Sequence, residues 1–75
     1  MFVDDLKPGE WAVIEEMGND TASVKLIELG CLPGERVMLK RTAPFRDPIV
    51  IEVGGSLISL RKSEAKVIRI KRPVA

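Results

Sequence analysis

Seventy-five residues form at most one hydrophobic core, because chains divide into separate domains only well beyond this length. With 45% apolar and 31% charged residues the chain is too hydrophobic to stay disordered, and its longest apolar run, Trp11 to Ile14, falls far short of the roughly 20 residues that cross a bilayer. Absent histidine and a lone cysteine, Cys31, exclude an intramolecular disulfide and remove the commonest general base and transition-metal ligand, while a net charge of +1 supplies no global field for nucleic acid.

Residues 1–75 are therefore expected to form a single domain, in the cytoplasm and without membrane insertion of its own. The charge is unevenly spread. Residues 1–35 carry two bases against eight acids, and residues 36–75 carry ten bases against three acids. The two halves either cancel by intermingling in one small fold or leave a basic face that seeks an acidic partner.

Along the chain, Leu6-Lys7-Pro8-Gly9 is a turn signal, and Trp11-Ala12-Val13-Ile14-Glu15 then reads as a buried strand, with Trp11 or Val13 as its core residue. Asp20 or Thr21 is a good N-cap for a short helix from Ala22 to Leu29, closed by Gly30. In that helix Ala22, Leu26 and Leu29 form one stripe, expected to face inward, while Val24 and Ile27 form a second apolar pair roughly opposite. After the Leu32-Pro33-Gly34-Glu35 turn, Arg36 to Arg41 reads as a second strand, followed by a rigid loop from Pro44 to Pro48.

Ile49 to Val53, Gly54-Gly55 and Ser56 to Leu60 form a hairpin whose two-residue loop fixes the register: Val53 faces Ser56, Ile51 faces Ile58 and Ile49 faces Leu60. Ser63 is placed to cap a single helical turn through Ala65. Val67 to Lys71 is a last strand with Ile68 and Ile70 inward, and Pro73 ends pairing. Short strands joined by Gly and Pro turns, with too few residues for a sandwich, favour a mainly β fold: a small barrel of about five strands with one short helix after the first strand.

No Walker-type GxxxxGK[ST], GxGxxG or CxxC pattern occurs, and no cofactor, catalytic residue or metal ligand is expected. Cys31 has no cation beside it in sequence to lower its pKa and reads as core filler. The bases from Arg61 to Arg72 lack the interleaved aromatics of single-strand binders and read as solvated surface, so no nucleic-acid partner is expected. What remains is surface. A helix with two apolar faces on a domain too small to bury both should leave Val24 and Ile27 exposed, continued by Leu32 and Pro33 at the corner; Phe45 and Asp47 stand in the rigid loop. These six are the candidate partner-binding residues.

The run Lys25 to Val37, followed by Ala43-Pro44, Asp47-Pro48-Ile49, the hairpin and Leu60-Arg61-Lys62-Ser63-Glu64-Ala65, resembles the FeoA family, ferrous iron transport protein A. The likeness runs from Leu6 to Ile70. It implies an SH3-like barrel in the bacterial cytoplasm, an accessory that binds and modulates the membrane transporter FeoB through its cytoplasmic region, sits peripherally at the inner membrane through that contact, or associates with a second copy of itself. A hydrophobe at the position of Cys31 is usual in that family, which agrees with packing. The alternative is the SH3-like regulatory module of diphtheria-toxin-repressor-type, metal-dependent transcription regulators. Met1 lies five residues ahead of the expected barrel with no helix-turn-helix before it, which favours a free-standing accessory.

Overall fold

The computed structural model describes residues 1–73. Five antiparallel strands, β1 (Trp11–Met17), β2 (Arg36–Thr42), β3 (Ile49–Val53), β4 (Ser56–Leu60) and β5 (Ile68–Lys71), form one sheet in the order β4-β3-β2-β1-β5. Helix α1 (Thr21–Glu28) follows β1, and a single turn, α2 (Lys62–Ala65), follows β4. The sheet curls around its core without closing by hydrogen bonds, since β4 and β5 remain its two edges. Two irregularities supply the bend: the register shifts between Ile14 and Glu16 against β5, and between Leu39 and Arg41 against β3. An extra residue in one strand of a pair increases local twist, which is how so short a sheet turns on itself.

The β3–β4 hairpin has the expected register in all five pairs. Gly54 and Gly55 both take positive φ, 58° and 81°, as a primed two-residue turn requires. Ile49, Ile51, Val53, Ile58 and Leu60 point into the core with Ile68 and Ile70 of β5, as their alternation with polar residues implies.

Strand β1 corrects the expectation. Ala12 and Ile14 face the core, while Trp11 and Val13 are half-buried on the outer face. The pairing sets this phase, because Ala12 lies opposite buried Val37 and Trp11 opposite outward Met38. The outer face of the Trp11 ring is covered by the Arg36 guanidinium, 4.7 Å from its centroid.

Helix α1 differs too. Asp20 is its N-cap, and its carboxylate accepts from the Ser23 N–H at 2.9 Å and the Ser23 hydroxyl at 2.6 Å, which satisfies the one fully buried polar side chain of the helix. The buried face is Ser23 and Leu26; Ala22 is half-buried and Leu29 is 48% exposed. The reason is the chain reversal at its end. Gly30, at φ 107°, donates to the Ile27 carbonyl, and the Cys31 N–H donates to the Leu26 carbonyl. That is the Schellman pattern, whose hydrophobic partner comes from the residue after the glycine, so Cys31 takes the buried position below Leu26 that Leu29 would have filled.

Ser63 is an exposed residue inside α2, not its cap. The first turn is closed instead by the Glu64 carboxylate, which accepts the Arg61 N–H at 2.8 Å. Ahead of β1, a short 3-10 turn at Val3–Asp5 buries Val3 and Leu6, and the Asp5 carboxylate accepts the Phe2 N–H at 2.8 Å. The charge asymmetry is partly cancelled in space: Lys66–Asp4 (3.0 Å), Arg72–Glu10 (3.2 Å) and Arg69–Glu16 (3.7 Å) each join the basic half to the acidic half.

The Asp20 carboxyl is held below its ordinary value near 3.8 by the two Ser23 donors. A carboxyl depressed in the folded state adds stability above its unfolded pKa, and that contribution is lost as pH falls through the folded value. Melting temperature measured from neutral pH down past 3.8 should therefore fall less steeply in Asp20→Asn, which keeps a capping oxygen but does not titrate, than in the parent chain. Parallel curves for the two proteins would assign the acid sensitivity elsewhere.

Candidate functional surface

The outer side of α1 and the corner after it concentrate the exposed apolar side chains. Val24 is 51% exposed, Ile27 36% and Leu32 44%, with Leu29 beside them; Pro33 is exposed as well. Val24 and Ile27 are one turn apart on the same side of the helix. The corner is rigid rather than loose, because it is stitched to the middle of β1: the Ile14 N–H donates to the Glu35 carbonyl at 2.9 Å, and the Gly34 N–H to the Ile14 carbonyl at 2.8 Å. Lys25 and Glu28, both exposed, give the patch a polar rim. Apolar side chains on a held backbone, bordered by charge, form a surface suited to protein contact.

Phe45 and Asp47 belong to a second place. They lie in the turn between β2 and β3, whereas the Leu32–Glu35 corner precedes the first residue of β2, so the two sets sit at opposite ends of a seven-residue strand, about 20 Å apart along it. Phe45 is fully exposed and, with Arg46, adopts the left-handed region at φ 66° and 63°. A bulky residue there is held against its preference, which presents the ring to solvent at the tip of the turn. Asp47 is not free: its carboxylate accepts the Lys62 N–H at 3.1 Å and ties the turn to α2. Beside this turn lies a cleft of about 560 Å³ lined by Asp4, Asp5, Lys7, Arg46, Lys62 and Lys66, of mixed charge and suited to polar contact.

Cys31 is fully buried, and burial pushes its thiol pKa up, so the thiolate needed for nucleophilic or redox chemistry is disfavoured. Among the described residues no group of three or more His, Cys, Asp or Glu side chains converges to hold a metal ion, and no helix is long and apolar enough to cross a membrane. Sequence reasoning located the exposed pair on α1 from its spacing. It missed Leu29, whose exposure follows from a chain reversal that periodicity does not describe.

The fold is that of a small SH3-like β module, with an exposed apolar patch on α1 and its corner and a mixed-charge cleft beside the β2–β3 turn. Residues 1–72 match the model of the FeoA domain, and the chain belongs to that family. It is 36% identical to iron(II) transport protein A from Clostridium thermocellum, whose solution structure superposes with a TM-score of 0.89 over 96% of this chain and 45% of that one. The zinc-complexed crystal structure of FeoA from Stenotrophomonas maltophilia, described as a prokaryotic SH3 domain protein, is 32% identical with a TM-score of 0.85, covering 95% of this chain and 89% of that one. A curated relative, the Fe(2+) transport protein A/Fe(2+) transporter FeoB fusion protein of Porphyromonas gingivalis, is 28% identical over 72 residues, which are 95% of this chain and 8% of that protein. The chain thus spans a small part of the curated relative that it matches. A manganese-dependent transcriptional repressor also superposes, with a TM-score of 0.85 over 97% of this chain and 41% of that one; at 11% identity this likeness shows the fold alone.

Proposed function

We propose that this chain is an accessory of ferrous iron uptake that docks on the cytoplasmic region of an FeoB-type transporter through the exposed face of α1 and the corner at Leu32 and Pro33, and modulates it by protein–protein contact. One observation carries the reading: in the P. gingivalis relative a segment similar to nearly the whole of this chain is joined covalently to FeoB. Fusion of two modules holds them at a high effective concentration, an arrangement that favours modules whose contact is useful but weak. A rigid apolar patch with a polar rim, on a fold that holds no convergent ligand cluster among the described residues, is the surface such a contact needs. In this reading the protein works in the cytoplasm, at the inner face of the membrane that holds the transporter.

Immobilised cytoplasmic domain of FeoB should capture the purified chain, and failure to capture it at any concentration up to the millimolar range would end the proposal. Iron is the transporter's cargo here, not this module's resident ligand. Anaerobic equilibrium dialysis with Fe(II) should accordingly give no tight binding to the isolated chain. Stoichiometric retention with a sub-micromolar constant would require carboxylate ligands assembled from exposed Asp and Glu side chains and would move the chemistry into the module itself.

A further inference from the structure

The two edges of the sheet are treated differently. Along β5, Arg69 and Lys71 point outward, and the N-terminal segment covers the strand: the Ile70 N–H donates to the Met1 carbonyl at 2.8 Å, and Phe2 bridges to Arg69. Strand β4, Ser-Leu-Ile-Ser-Leu, has no charge, no proline and no bulge in its pairing with β3. Charge, proline, bulges and covering segments are the means by which edge strands avoid pairing with other chains, and β4 has none of them.

The direction of its free backbone groups follows from the turn. In a hairpin with a two-residue loop the closing pair, here Val53 and Ser56, is hydrogen-bonded, so Ile58 and Leu60 also direct their N–H and C=O groups at β3. Leu57 and Ser59 then direct theirs away from it, to the open edge, and no turn or loop of the described residues bonds to them. The Leu57 side chain, 59% exposed, stands on the outer face beside those groups.

We infer that β4 pairs antiparallel with β4 of a second copy of this chain, about a two-fold axis at Ile58. In that register Leu57 exchanges both hydrogen bonds with Ser59 of the second copy, and Ser59 does the same with its Leu57, so every free group on both edges is satisfied. Ile58 meets its counterpart in the closer, non-hydrogen-bonded spacing. The two Leu57 side chains lie diagonally on one face at about 7–8 Å, within reach of each other, and shed the exposure that each has alone.

A second copy fits this edge because the strand is its own complement. No charge within Ser56–Leu60 places like charges opposite one another, and the two bases that follow, Arg61 and Lys62, fall opposite Gly55 and Gly54 of the second copy, which have no side chain to oppose them. The contact is short, about 17 Å of strand, so the dimer is of the weak class and forms at high concentration.

Sedimentation equilibrium from about 10 µM to about 1 mM should show a reversible monomer–dimer equilibrium. Over the same range the Leu57 and Ser59 amides, solvent-facing in the monomer, should slow in hydrogen exchange by at least about tenfold. Leu57→Lys places two like charges diagonally across the axis on the outer face and should weaken the dimer at least about tenfold, with the melting temperature of the monomer unchanged. Ser59→Pro, which removes one outward donor at an edge position that tolerates proline, should do the same. Ile27→Glu should leave the dimer intact, and Leu57→Lys should leave capture by FeoB intact, so this inference and the docking proposal fail separately. A monomer at every concentration, or a dimer insensitive to both β4 variants, overturns the inference. Protection of the same two amides by the FeoB domain but not by self-concentration overturns it as well, and gives the edge to the transporter.

Discussion

Ile51→Ala is expected to lower the unfolding free energy by about 2 to 5 kcal/mol, the range found when a buried isoleucine is truncated and its cavity only partly collapses. Ile51 has no exposed surface, and it lies opposite Leu39 on one side and Ile58 on the other, so the lost methylenes come from the middle of three consecutive strands. At roughly 0.05 to 0.15 kcal/mol per residue, a chain of this length has a total stability of about 4 to 11 kcal/mol. The loss is therefore a large fraction of the whole, and at the lower end the variant does not stay folded. Urea unfolding of Ile51→Ala beside Val24→Ala measures it. Val24 is exposed, and its truncation should change stability by no more than about 0.5 kcal/mol. Equal midpoints for the two variants would mean that the β3–β4 register places Ile51 outside the core.

That register was legible because two independent signals agree in the hairpin. The Gly54-Gly55 loop sets which residues pair, and polar residues between the isoleucines set which face is buried. Strand β1 carried neither signal. Trp11 to Ile14 is apolar throughout, so alternation has no phase until Val37 on β2 selects Ala12 for the core, and the largest side chain turns outward under Arg36. The end of α1 was illegible for a different reason. Helical spacing gives Leu29 the stripe of Leu26, but the 6→1 hydrogen bond from Cys31 to Leu26 replaces the next helical turn with a reversal, and the inward position passes to Cys31. The burial of Val3 and Leu6 rests on a local turn closed by Asp5, a contact three residues long with no periodicity to announce it. Of the candidate contact residues, the exposure of Val24 followed from its place nearly opposite Leu26, while Ile27 flanks the buried face and is 36% exposed. That Phe45 and Asp47 lie at the far end of β2 from the corner was legible as well, because the Leu32–Glu35 turn precedes that strand and the Pro44–Pro48 loop follows it.

Ile27→Glu is expected to leave the fold unchanged and to weaken capture by the FeoB cytoplasmic domain by at least about 2 kcal/mol, roughly thirtyfold or more. The fold survives because Ile27 lies outside the Ser23–Leu26 face that anchors α1, and glutamate is as good a helix former as the residue it replaces. Binding is lost because a docked partner would strip water from a carboxylate that has no cation facing it, and an unpaired charge in a desolvated contact is costly. Circular dichroism and the melting temperature separate the two effects. The Asp20–Ser23 cap lies at the other end of the helix, and the Schellman closure uses only the backbone carbonyls of Leu26 and Ile27, so the substitution removes no hydrogen-bonding group from either. If a folded Ile27→Glu chain is captured as well as the parent, α1 is not the docking face. The contact then passes to the other end of β2, where Phe45→Ala, the removal of a fully exposed ring with no part in the core, becomes the deciding variant. Loss of capture in Phe45→Ala but not in Ile27→Glu would place the transporter on the turn that Asp47 ties to α2, beside the mixed-charge cleft.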